Sequence, residues 1–313
     1  MGIRESYTSA SALPAKLLHM PVIDGEGKIR PIHIQLTPTN ACNLNCEFCS
    51  CSDVDKSKSL SYEQMMGIID TTAKYGGKAM TITGGGEPLL HPRINDVIKY
   101  GVKYNMKAGL VTNGTTLNRL QSHTNLTWCR ISCSDDRIQD YNMIKAATEV
   151  NPDTDWAFSY VVTRNPDFQN INNIVEFANR FNFSHVRLVS DLHDLANVPD
   201  MDEIEKRITE DDSKVIYQGR KESVHGTKNC SISLLKPVIA PEGIFPCCGA
   251  QYAIHGQEKA LIDDMKMGEV EDLERIILDQ ESFDGSNCDV CYYSQYNDAL
   301  SKLLIKPDHV EFV

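Results

Sequence analysis

The sequence predicts an α/β fold, a parallel sheet wound by helices, followed by a smaller α+β tail. Two observations carry this. From Ile32 to about Ser190, short β-like runs alternate with helical periodicities, the pattern of repeated βα units. Beyond about residue 220 that alternation stops and cysteine becomes dense again, so a boundary falls within 220–228. The organisation expected is an N-terminal extension at 1–30, a catalytic core at 31–225 and a tail domain at 226–313.

Six strand candidates lie in the core: Ile32–Leu36, Ala79–Thr83, Ala108–Thr112, Thr127–Cys133, Ala157–Val162 and His185–Val189. Between the first two, Ser61 with Gln64 three residues on is a capping-box signal for a helix ending near Gly76 and Gly77. Ile94, Val97, Ile98 and Val102, then Ile171, Ile174, Val175 and Ala178, recur at helical spacing and read as core stripes. Met201–Gln218 is polar and charged and reads as helix-like. In the tail, Leu235–Ala240 and Ile244–Cys247 read as a hairpin across Pro241-Glu242-Gly243, with a helix over Val270–Asp279.

Bulk numbers narrow the function. A chain of 313 residues, 41% apolar, is long enough to bury a full core. Its formal charge of −12 disfavours a surface built for nucleic-acid polymers, whose phosphates are met by clustered Lys and Arg. No run approaches the ~20 apolar residues a membrane span needs, and a cytoplasmic location is expected. A reducing compartment disfavours disulfides, so the eleven cysteines point to metal ligation or redox chemistry.

Cys42, Cys46 and Cys49 fall within eight residues, directly after the first strand and so at the C-terminal mouth of the sheet. Thiolates are soft ligands suited to iron-sulfur clusters or zinc. A zinc site would need a fourth ligand such as Cys51. Three cysteines without a fourth hold three irons of a four-iron cluster and leave one iron open to a substrate or cofactor.

This CxxxCxxC run, with Phe48 before the third cysteine, resembles the radical S-adenosylmethionine (SAM) superfamily. Thr83-Gly84-Gly85-Gly86-Glu87-Pro88 resembles its GGEP segment, which holds the amino group of SAM. Val111-Thr112-Asn113-Gly114 resembles its TNG turn, and Ser132, with Ser134 as the alternative, lies where the fourth strand supplies a ribose contact. Here the sequence reads Ser132-Cys133-Ser134-Asp135 instead of the common SLDG. The resemblance implies a partial (β/α)6 radical SAM barrel with a [4Fe-4S] cluster on Cys42, Cys46 and Cys49. It further implies SAM held by Phe48, Gly84, Gly85, Gly86, Glu87, Asn113 and Ser132, and an external electron donor such as flavodoxin or ferredoxin.

In the tail, Cys230, Gly243 and Cys248 resemble the CX9-15GX4C element of SPASM domains, and Cys288 and Cys291 form a CxxC pair. The set resembles the shortened version called twitch, which binds one auxiliary [4Fe-4S] cluster. The spacing assigns Cys248 as ligand in preference to its neighbour Cys247, and a four-cysteine zinc ribbon is the alternative. Cys129 and Cys133 read as core thiols.

The loop Ser190-Asp191-Leu192-His193-Asp194 follows the sixth strand, where a proton acceptor or polar clamp would sit, so Asp191 and His193 are catalytic candidates. A solvated or capping loop is the plainer reading. The resemblance implies hydrogen abstraction from a small-molecule biosynthetic substrate, leading to oxidation with the auxiliary cluster accepting an electron. Alternatives are a peptide (RiPP) maturase, a nucleoside- or nucleobase-modifying enzyme, and a non-enzymatic zinc or redox protein.

Overall fold

The computed structural model describes residues 13–135, 137, 139–219, 224–253 and 263–305. Its centre is one nine-stranded sheet in the order β7-β6-β5-β4-β3-β2-β1-β8-β9. The six expected strands are all present: β1 His33–Leu36, β2 Ala79–Ile82, β3 Lys107–Thr112, β4 Trp128–Cys133, β5 Asp155–Val162 and β6 His185–Ser190. Each pairs in parallel with its sequence neighbour.

Two differences from the sequence reading follow from pairing. The stretch 201–218 is not one helix: it contains a short helix, Met201–Glu205, and then a seventh strand, β7 Val215–Gln218, parallel to β6. The polar, charged run before it hid the short apolar stretch Val215-Ile216-Tyr217, which pairs with β6. The tail hairpin, β8 Val238–Ala240 and β9 Gly243–Phe245, is shorter than expected and is hydrogen-bonded to the core sheet. β8 runs parallel to β1, with Thr37 N–H donating to the Ile239 carbonyl at 2.8 Å.

The sheet has two unlike faces. On one, Ile34, Met80, Leu110, Ile131, Phe158 and Leu188 are fully buried in a single core. Helices Tyr62–Lys74, Ile94–Lys103, Tyr141–Val150 and Phe168–Arg180 bury their apolar stripes in that same core. Ser61 caps the first of them with the full reciprocal box to Gln64. On the other face the alternating partners, Gln35, Thr81, Val111, Arg130 and Arg187, keep partial exposure. A parallel sheet is ordinarily covered and apolar on both sides. Here one face is polar and reached by solvent. No helix among the described residues is long and apolar enough to cross a membrane.

Candidate functional site

The first cysteine loop is held by the turn that follows β2. Gly86 N–H donates to the Thr39 carbonyl at 3.0 Å and Glu87 N–H to the Ala41 carbonyl at 2.9 Å. The approach leaves no room for side chains. A Cβ on Gly85 would stand 2.1 Å from Asn40 Oδ1, and one on Gly86 would stand 2.1 Å from the Ala41 carbonyl. The glycines therefore serve the close approach of backbone to backbone beneath the cysteines. Cys42, Cys46 and Cys49 are partly exposed free thiols on that platform, and Cys49 N–H donates to the Cys46 carbonyl at 3.1 Å.

Glu87 ties the platform to the turn after β3. Its buried carboxylate accepts from Asn113 N–H at 2.7 Å, Thr112 Oγ1 at 2.7 Å and Leu89 N–H at 3.0 Å. Burial pushes its pKa up, and these three hydrogen bonds oppose the shift. Asn113 Nδ2 in turn donates to Asn43 Oδ1 at 3.0 Å, inside the cysteine loop. Three strand-end loops thus become one unit.

Arg137, which the sequence reading did not single out, closes the unit from β4. It donates from Nη1 to the Ser132 carbonyl at 2.8 Å and from Nη2 to Cys46 Sγ at 2.8 Å, with its guanidinium 5.5 Å from the Phe48 ring centre. Ser132 lies on the partly exposed face of the sheet, whereas Ser134 is wholly buried. Asp135 is engaged by Tyr160, Thr163 and Asp167. Cys129 and Cys133 are buried in the core and burial pushes both thiols up; Cys51 is also buried and is pushed up to about 12.

In the tail, a small cavity is lined by Cys230, Cys247, Cys288 and Cys291. Cys247 is among the residues lining the cavity, where the spacing assigned Cys248 as ligand. The chain leaves β9 through Pro246 and turns at Cys248. Cys248 Sγ instead meets the Tyr293 hydroxyl at 2.9 Å and lies within electrostatic reach of Arg130. Burial raises Cys230 and Cys288 to about 11 and Cys247 well above its ordinary value. Buried Asn297 directs its amide Nδ2 toward Cys230 Sγ at 3.7 Å and Cys291 Sγ at 3.9 Å, while its Oδ1 accepts from Ile232 N–H at 2.9 Å. Among the described residues no three Cys, His, Asp or Glu side chains gather as ligands of a single ion.

The loop after β6 reaches toward both regions. Asp191 Oδ1 accepts from His193 N–H at 2.9 Å, which is a turn-forming contact. The His193 ring lies 5.7 Å from the Tyr252 ring, and both its nitrogens are buried with no partner among the described residues. Half-buried Tyr252 sits beside Ser50, next in sequence to Cys49, and 6.4 Å from the ring of Tyr292, which lines the tail cavity. His193 therefore faces the space between the two cysteine regions and Asp191 shapes its loop.

Residues 36–140 match the Radical SAM superfamily. The chain carries a Radical SAM domain. Members of that superfamily are enzymes. It is 30% identical over 122 residues to the S-adenosylmethionine-dependent nucleotide dehydratase of Flammeovirga pacifica, covering 36% of this chain and 42% of that protein. It is 34% identical over 87 residues to the tungsten-containing aldehyde ferredoxin oxidoreductase cofactor-modifying protein of Pyrococcus furiosus, covering 27% and 24%. The matched stretch thus spans less than half the length of these relatives. In fold, the chain is similar to Streptococcus suis SuiB bound to S-adenosylmethionine, with a TM-score of 0.58, 15% identity and coverage of 88% and 77%. It is likewise similar to anSMEcpe with bound AdoMet and Kp18Cys peptide, with a TM-score of 0.54, 14% identity and coverage of 88% and 84%.

Proposed function

We propose that Cys42, Cys46 and Cys49 bind a [4Fe-4S] cluster whose fourth iron takes SAM, and that Cys230, Cys247, Cys288 and Cys291 bind a second, fully ligated [4Fe-4S] cluster in a twitch-like tail. The observation that carries the first half is the single hydrogen-bonded unit joining the cysteine loop to the turns after β2, β3 and β4. The observation behind the second half is a cavity walled by four cysteines, with an amide donor directed at two of them.

A cluster held by Cys42, Cys46 and Cys49, with SAM bound and an external one-electron donor, would supply reductive cleavage of SAM and hydrogen abstraction from an unactivated carbon. The chain's own residues then orient and exclude. Gly84–Gly86 give SAM's amino end a backbone edge without side chains, with Asn113 and Ser132 on neighbouring strand ends. Arg137 offers a fixed positive charge beside Cys46, and Phe48 a ring beside that charge. His193 presents two unmatched ring nitrogens toward the substrate space and is the better candidate of the two for a proton acceptor.

The reaction we favour is oxidation of a small-molecule biosynthetic substrate: a cluster held by Cys230, Cys247, Cys288 and Cys291 would supply an acceptor for one electron, and His193 a site for the proton released with it. A free nucleotide is the second substrate class. It is supported by similarity to the nucleotide dehydratase and, at 32% identity over 93 residues, to a probable GTP 3',8-cyclase of Pyrococcus abyssi. The test is anaerobic loading with iron and sulfide, addition of SAM and a strong reductant, and quantification of 5'-deoxyadenosine beside Cys42→Ala. Production by the wild type alone supports the reading. A protein that retains zinc and binds no SAM overturns it.

A further inference from the structure

We propose that the solvent-reached face of the sheet is a receptor for an anionic group of the substrate, a phosphate or a carboxylate, with Arg130 as its central ligand. The inference deepens the reading above, because it names what the substrate of that same site must carry.

Strand register sets the arrangement. Arg130 on β4 is level with Ala157 on β5, which is level with His185 on β6. One rung toward the C-terminal ends, Ser132, Ser159 and Arg187 are level in the same way. Two guanidiniums and an imidazole therefore occupy adjoining rungs of one face. Arg187 is engaged with Ser159 Oγ at 3.3 Å, which holds it against the sheet. Burial depresses His185 to about 3, and the neighbouring guanidiniums of Arg130 and Arg187 add to the shift.

Arg130 is the group in this band with an unmet need. Its Nε is buried with no acceptor among the described residues. The acidic groups acting on it are the thiols of Cys248 and Cys129, and burial lowers it to about 10. The side chain keeps partial exposure. Its guanidinium stands 5.4 Å from the Trp128 ring, and Trp128 lies over Gly109, where a Cβ would meet the ring at 2.1 Å. A desolvated guanidinium without a counter-charge is costly, and its planar fork suits phosphate and carboxylate oxygens. Ser132, two residues further along β4 and so roughly 7 Å nearer the cysteine loop, is linked through its carbonyl and Arg137 to Cys46. An anion on Arg130 would thus anchor a substrate from below while its body extends toward the SAM site.

The test is calorimetric titration of the cluster-loaded protein, without SAM or reductant, using pyrophosphate in one arm and citrate in the other. Beside the wild type stand Arg130→Gln, Arg130→Lys and, as a control on the exposed outer surface, Lys99→Gln. Iron content and near-ultraviolet circular dichroism establish that each variant is folded. Expected is one-to-one binding in at least one arm, weakened at least tenfold by Arg130→Gln, less by Arg130→Lys and not by Lys99→Gln. The arm that binds says whether the group is phosphate or carboxylate. Absence of binding in both arms, or equal binding by wild type and Arg130→Gln, overturns the proposal. Because no SAM cleavage is measured, either result is independent of whether the radical chemistry is correctly assigned.

Discussion

The two cysteine regions solve different problems with the same ligand. At the mouth of the sheet, three partly exposed thiols ride on a loop clamped from below by Gly85 and Gly86 and from the side by Asn113 and Arg137. In the tail, four thiols wall a cavity, and burial keeps Cys230, Cys247 and Cys288 harder to ionise than a free thiol. The donors beside the sulfurs differ too: a guanidinium at Cys46, a neutral carboxamide at Cys230 and Cys291. A three-thiol loop suits a cluster with an open position. A pocket walled by four thiols suits one closed to exchange.

If that contrast is right, the largest effect belongs to Cys42→Ala. It should reduce 5'-deoxyadenosine to background and remove about four irons per chain, leaving the tail's four in place. Loss of all iron would mean the two regions are not independent. Next in size is a pair in the tail. Cys247→Ala should lose the second cluster's iron and its electron paramagnetic resonance signal on reduction, whereas Cys248→Ala should keep both. The reverse result would return the ligand role to Cys248.

A smaller effect separates the platform from the thiols it carries. Gly86→Ala forces a methyl against the Ala41 carbonyl, so it should destabilise the protein by about 1–3 kcal/mol and lower iron uptake at the first site before the second. Thermal unfolding with iron counts checks both parts. The smallest change is expected from Asn297→Leu. Removing an amide directed at two sulfurs should lower one of the two cluster midpoint potentials, by on the order of tens of millivolts, in a redox titration. Arg137→Gln should move the other potential and leave this one alone.

The sequence by itself determined the six βα-type strands, the capped helix after Ser61 and the position of the first cysteine loop after β1. These are local facts: a period of two or of 3.6, a capping box, a spacing of thiols. Tertiary structure decided what depended on a partner far along the chain. β7 is a strand because β6 offers it a backbone edge, and the hairpin joins the sheet because β1 is free on that side. Cys247 lines the cavity while Cys248 turns to Tyr293, a choice made by chain direction after β9 that two adjacent cysteines cannot signal. Arg137 and Arg130 look like ordinary charged residues in a linear reading, and only the folded chain puts one against Cys46 and the other on the partly exposed face of the sheet, level with Ala157. Spacing along a chain records which ligands are present, but the direction each side chain faces is set by packing against elements that the spacing does not contain.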